Sequence, residues 1–189
     1  MKLLKIYKPI RPFAVTQNWN NKNKIYADAG FSFTNHNGVD FHNGTNQKKF
    51  LVWNPVADFT VHQVNWRPDG GGHEIWLNSN EMVQIGEKMC HGYLVMAHGH
   101  KILVEAGYQP KLGELIMIGN STGFSNGPHV HLGLYRVNFD GRYMEWLDQN
   151  DANGSFDPML YMQNEFAVDF IKNDLPTLMK SVGRIIRYY

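Results

Sequence analysis

The chain has 189 residues, 43% of them hydrophobic and 13% aromatic, enough for one well-formed core and too few for two. Its 18 lysines and arginines nearly balance 17 acidic residues, so no broad basic field draws it to nucleic acid or anionic lipid, and recognition must come from a local site. A single cysteine, Cys90, excludes an internal disulfide and a cysteine-rich zinc site.

The opening MKLLKIYKPIRPF has lysines around a broken apolar stretch that ends in prolines, unlike the uninterrupted apolar segment of a secretory signal. No later run is long and apolar enough to cross a bilayer, so a soluble chain that does not direct its own export is expected. From 15 to 50 the sequence is rich in Asn, Gly, Lys and Thr, and VTQNWNNKNKIYADAG sustains neither a helical nor a strand period; long loops around short strands are expected. Within it, NHNGVDFHN (35–43) carries H-x-x-x-D. On a helix that spacing would stack His36 over Asp40, but Asn-Gly disfavours a helix, so a loop running into a strand must bring them together. His42, on the same strand face as Asp40, is a rival. An imidazole beside a carboxylate suits zinc; a hydrated turn is the plainer reading.

The middle changes character. VADFTVHQV (56–64), GHEIWLNS (72–79), EMVQIGEK (81–88), GYLVMAHG (92–99) and ELIMIGN (114–120) are short, β-branched or aromatic, and separated by Gly, Pro or Asn, which predicts a mainly antiparallel β domain. MAHGHK (96–101) ends a strand with His98 and His100 two apart; either could reach a cleft, and surface exposure is the alternative. VEAGYQPKLGELI reads as a loop feeding another strand. The bent segment GNSTGFSNGP (119–128) then delivers HVHLGLYRV (129–137), a strand in which His129 and His131 share a face about 7 Å apart. They can converge on one small centre, although ordinary half-buried histidines have the same spacing. After Asp157-Pro158 the pattern shifts, and EFAVDFIKNDLPTLMKSVGRIIRYY resembles one or two amphipathic helices broken around Pro176, packing on the domain or on a partner. No fixed-period repeat or low-complexity tract is present.

Spacing alone leaves seven candidates: His36, Asp40, His42, His98, His100, His129 and His131. A catalytic zinc takes three protein ligands and keeps an open position, so the set stays open on these grounds.

Taken in order, the H-N-G-V-D of 36–40, the Ala97-His98 strand end and GFSNGPHVH (123–131) resemble the three signature motifs of the lysostaphin/LytM-type zinc metalloendopeptidases, peptidoglycan hydrolases with the duplicated hybrid motif fold. NPVADFTV (54–61), KILVEAGYQPKLGELIMIGNSTG (101–123) and DPMLYM (157–162) are similar to further segments of that family, and the likeness runs from about Val15 to Met162. It implies a mainly β, antiparallel, sandwich-like LytM-type peptidase domain over 15–162 with long loops, an N-terminal extension over 1–14 and a short helical C-terminal tail over 163–189. It also implies one Zn2+ per chain, with His36, Asp40 and His131 as metal ligands and His98 and His129 as the catalytic histidines; His42 and His100 have no counterpart. Where the family often has an aromatic two residues before the strand-end histidine, this chain has Met96, and Gly99 stands where leucine is common. Gly133 and Leu134 replace the usual aromatic-acidic pair after H-x-H. These departures bear on the cleft wall rather than on the metal, and Trp19, Phe31 and Phe124 are candidate walls.

The implied activity is hydrolysis of peptide bonds in the cross-links or stem peptides of bacterial peptidoglycan, zinc lowering the pKa of its water to about 7. The implied partner is a peptidoglycan peptide, without nucleic acid or membrane insertion, and the C-terminal helices are a candidate surface for a partner or self-association. The implied site of action is the cell wall, extracellular or periplasmic; with no signal peptide visible, delivery by a phage or prior removal of a signal are the routes considered. The rival readings are a noncatalytic scaffold of the same fold that binds cell wall or activates another hydrolase, and a structural β module in a virion or cell-surface assembly.

Overall fold

The structure is a computed structural model that describes residues 2–45, 47–140, 143–150, 152–171 and 174–186. The elements in chain order are β1 (Ile6–Lys8), β2 (Ala14–Gln17), α1 (Lys24–Asp28), β3 (Val39–His42), β4 (Phe50–Trp53), β5 (Phe59–Arg67), β6 (Gly72–Ser79), β7 (Val83–Ile85), β8 (Lys88–Ile102), β9 (Leu115–Gly119), β10 (Val130–Phe139), β11 (Met144–Trp146), β12 (Ser155–Phe156), a 3-10 turn at Pro158–Tyr161, β13 (Met162–Phe166), a second at Ala167–Ile171, and α2 (Leu175–Ile186). The expected mainly antiparallel β architecture is the one found. The main sheet runs β2-β3-β10-β8-β6-β5, with β9 on the far half of β8 and β4 beyond it, and β11 and β12 on β10.

Opposed residues in antiparallel strands point to the same face, and this sorts the centre of the sheet. His131 lies opposite Asp40 on one side and Ala97 on the other. Leu132 lies opposite Val39 and Met96, and Met96 opposite Ile75. The second set, with Phe41, Leu77, Leu94, Val130 and Leu134, is buried in one core, each such side chain contributing about 1.5–3 kcal/mol. The first set faces the other way, onto a cleft lined by Asp40, Ala97 and His131.

Strand β8 differs from its sequence reading. Gly92 does not begin a strand but lies inside a 15-residue one, where its missing side chain admits Ile85, Phe59 and Val83. β8 pairs first with β7, then with β6 and β10, and finally with β9. Strand β4 and the five-residue helix α1 carry too few residues to show a period. Asn23 caps α1, its side chain accepting from Ile25 N–H.

An early and a late segment of the chain meet. β1 pairs in parallel with β13, and Leu4, Ile6 and Ile10 enter the main core. The expected break around Pro176 falls earlier: Pro176 lies in the first turn of α2, where no N–H is required of it. Helix α2 docks on the domain. Ser181 Oγ accepts from Leu115 N–H at 3.1 Å, and Arg184 reaches Glu114 at 2.8 Å, while Leu178 and Ile185 pack near Trp53 and Leu115.

Candidate metal centre

His36 sits in the loop before β3, Asp40 within β3, and His131 opposite Asp40 in β10. The Asn37-Gly38 turn folds the loop back so that His36 comes over the strand. A Cβ on Gly38 would lie 2.5 Å from Leu132 O and 2.6 Å from the His131 ring, so only glycine lets that ring take its place. His36 Nε2 is 3.0 Å from His131 Nδ1 and 3.1 Å from Asp40 Oδ1, and His131 Nδ1 is 3.0 Å from Asp40 Oδ1. His36 Nδ1 donates to Asn18 O at 3.0 Å, which leaves the lone pair of the neutral ring on Nε2.

Two imidazole nitrogens and a carboxylate oxygen thus converge, all three side chains nearly buried. Three donors about 2.0–2.1 Å from a tetrahedral zinc lie roughly 3.3 Å apart, and the observed triangle is close to that size. The nitrogen and oxygen donors also suit the ion chemically, so the residues present fit zinc. Burial works to raise the Asp40 carboxyl, but hydrogen bonds with His131 and His36 outweigh it and hold the group well below the usual carboxylate range. Burial pushes the His131 imidazole down against the pull of Asp40. Both directions favour the deprotonated forms that ligate metals.

His98 and His129 lie beside this triangle with ring centroids 4.5 Å apart. Asn120 joins their backbones, its N–H donating to His98 O at 3.1 Å and its carbonyl accepting from His129 N–H at 2.9 Å. His98 Nδ1 donates to Thr122 O at 2.8 Å and His129 Nδ1 to Gly127 O at 2.8 Å, so each ring keeps Nε2 for other use. His129 Nε2 is 3.5 Å from Asp40 Oδ2. His98 has φ of 64°, at irregular register between β8 and its neighbours β6 and β9; this left-handed residue breaks the alternation that would send the ring with Met96 into the core. Burial first, then the His129 and His131 rings, push the His98 pKa down to about 3, and the ring is neutral at neutral pH.

His42 lines the cleft outside the triangle, its Nδ1 accepting from Gly44 N–H at 3.0 Å. His100 is exposed on β8. The cleft has a volume of about 740 Å³. Phe31 and Phe124 line it, but Trp19 packs against the main core and donates to Ser155 Oγ. The sequence reading missed Tyr26, Phe33, Trp76, Tyr135 and Glu74. Tyr135 explains the glycine at 133. Its ring lies where a Cβ of Gly133 would come within 3.0 Å of Tyr135 Cε2, and its hydroxyl accepts from Asn37 Nδ2 at 2.9 Å, so an aromatic two residues along covers the spot. Glu74 is a buried acid directly before the apolar run Ile75, Trp76 and Leu77, a legible signal. It accepts from Gly71 N–H at 3.0 Å and Trp76 Nε1 at 2.8 Å. The turn it holds accepts His98 N–H on Gly71 O and Phe124 N–H on Gly70 O, both at 2.7 Å.

No protein-family model matches the chain. It is 35% identical over 107 residues to a protein of Haemophilus influenzae named an uncharacterized metalloprotease, covering 57% of this chain and 19% of the relative. It is 35% identical over 106 residues to the glycyl-glycine endopeptidase ALE-1 of Staphylococcus capitis, covering 54% and 25%. The chain thus spans a quarter or less of the length of these relatives. Among solved structures, a zinc-containing peptidase from Vibrio cholerae aligns with TM-score 0.53 and 25% identity over 70% of this chain and 36% of that one. The catalytic domain of lysostaphin from Staphylococcus simulans aligns with TM-score 0.54 and 20% identity over 79% and 91%. A chain of the SpoIIIAH–SpoIIQ complex shares the fold at TM-score 0.58 and 14% identity over 84% and 100%. The resemblance to lysostaphin/LytM-type peptidases therefore holds in sequence, and the fold is theirs.

Proposed function

We propose that this chain, similar in sequence and fold to lysostaphin-type peptidases, is a zinc-dependent endopeptidase that hydrolyses peptide bonds of bacterial peptidoglycan at the cell wall. The observation that carries this reading is the triangle of His36, Asp40 and His131 donor atoms, 3.0–3.1 Å on each edge, with two further imidazoles in the same cleft.

His36, Asp40 and His131 hold one ion. Zinc bound by three ligands supplies a Lewis acid that polarises a carbonyl and acidifies water to a pKa of about 7. His98 and His129, each fixed through Nδ1 to a backbone carbonyl, present Nε2 to orient water, donate to a developing oxyanion or protonate the leaving amine. Burial keeps His98 neutral at the start of the reaction. Among the described residues no helix is long and apolar enough to cross a membrane.

The test is metal analysis together with mass spectrometry of fragments released from defined peptidoglycans. Wild-type protein is expected to carry about one zinc and to release peptide fragments. His131→Ala is expected to lose both metal and activity, whereas His129→Ala keeps the metal and loses at least about 100-fold in turnover. Equal metal loss in both variants would overturn the division of roles. Zinc-loaded protein without hydrolysis would favour the noncatalytic scaffold.

A further inference from the structure

The bulge that turns His98 into the cleft is held by a residue that belongs to neither of the strands it joins. Between β6 and β8, His73 lies opposite Gly99 and Ile75 opposite Met96, so β8 advances three residues where β6 advances two. An extra residue of this kind breaks the ladder and leaves backbone groups that need other partners. Thr122, in the loop after β9, supplies one to each strand. Its hydroxyl accepts from His73 N–H at 3.1 Å and donates to Gly99 O at 2.6 Å, so one side chain bridges β6 and β8 beside His98.

The same residue also takes the ring. Thr122 O accepts from His98 Nδ1 at 2.8 Å, and a carbonyl can only accept, so the proton of the neutral ring stays on Nδ1 and the lone pair on Nε2. The carbonyl is itself pinned. A Cβ on Gly72 would lie 2.5 Å from Thr122 C, and one on Gly123 would lie 2.2 Å from Gly72 N. Residues 122–123 therefore lie backbone to backbone against the turn between β5 and β6, whose Gly71 O accepts His98 N–H at 2.7 Å.

We infer that Thr122 is a positioning residue for His98: its hydroxyl holds the bulge that turns the ring out of the core, and its carbonyl selects the tautomer the ring presents. This rests on the proposed function in taking His98 as a group that acts on water or substrate. Thr122→Val keeps the shape of the side chain and the carbonyl but leaves His73 N–H and Gly99 O without the hydroxyl between them. The bulge then loses its tie, and the ring its fixed place against Thr122 O.

The test is the His98 Nδ1–H signal, read by nitrogen–proton NMR on histidine-labelled, metal-free protein at neutral pH and assigned by its absence from His98→Gln. Zinc content and steady-state rates on peptidoglycan are measured beside it. The wild type is expected to show a slowly exchanging Nδ1–H. Thr122→Val is expected to lose that signal and about 10–100-fold in kcat while keeping wild-type zinc content and KM, and Thr122→Ser to keep the signal and stay within about threefold of wild-type kcat. No such signal in the wild type, an unchanged signal in Thr122→Val, or no rescue by serine would overturn the inference. So would zinc loss or failure to fold in Thr122→Val, since the hydroxyl would then serve the whole domain, and so would an unchanged kcat in an active enzyme. A signal lost in Thr122→Val from a wild type that hydrolyses no peptidoglycan would overturn the endopeptidase reading and leave this one standing. An active wild type whose Thr122→Val variant keeps signal and rate would do the reverse.

Discussion

The ring of His131 rests against the α-carbon of Gly38, and that contact fixes where one metal donor points. Gly38→Ala would press a methyl group into Leu132 O and the ring at 2.5–2.6 Å, and backbone on one side leaves the ring to move. The expected result is more than tenfold weaker zinc binding and a loss of about 1–3 kcal/mol of stability, read by metal titration and urea denaturation. His98 gives a pH prediction for the metal-free protein. Its folded pKa of about 3 lies below the ordinary 6.5, so between those values the unfolded chain binds the proton that the folded chain refuses. Stability is therefore full above about pH 6.5 and falls as the pH drops, by about 2–3 kcal/mol at pH 4.5. Urea midpoints at pH 7 and 4.5 measure it, and His98→Gln should reduce the difference, leaving the part that depressed His131 contributes.

At the scale of elements, the cleft is assembled by loops that meet at strand ends. The turn between β5 and β6 holds the backbone of His98 and of Phe124, and Glu74 holds that turn. Glu74→Ala would leave Gly71 N–H and Trp76 Nε1 without their acceptor, at about 1–3 kcal/mol. Because the turn touches His98 and none of the metal donors, turnover is expected to fall about tenfold while zinc content stays at the wild-type level. Glu74→Gln, which keeps an acceptor oxygen, should lie between the two. Steady-state rates beside metal analysis separate this from a general loss of fold.

At the scale of the whole molecule, an early strand and a late one are built into one another. β1 lies beside β13, and Ile6 is fully buried in the main core. Ile6→Ala is expected to cost about 2–5 kcal/mol, as much as a truncation in the central sheet, and thermal denaturation reads it directly. Helix α2 is tied down from the other side by Arg184 to the buried carboxylate of Glu114.

Short β-branched or aromatic runs bounded by Gly, Pro or Asn made β5, β6 and β9 legible, and alternation made β10 so. The pairing of His129 with His131 on one face followed from the same rule, and the resemblance of the ordered motifs singled out His36, Asp40 and His131. Other features depend on contacts between residues far apart in the chain. Glu74 answers to a turn and a loop ending near residue 124, Tyr135 covers Gly133 by reaching toward Asn37, and Trp19 turns into the core instead of the cleft because Ser155 accepts its indole N–H. The sequence by itself determined which side chains have the chemistry to ligate a metal and that His129 and His131 share one strand face, since both are set by side-chain chemistry and local periodicity. Only the tertiary structure decided which groups line the cleft and hold its geometry, because strand register and a left-handed residue at His98 bring together side chains that no local spacing relates.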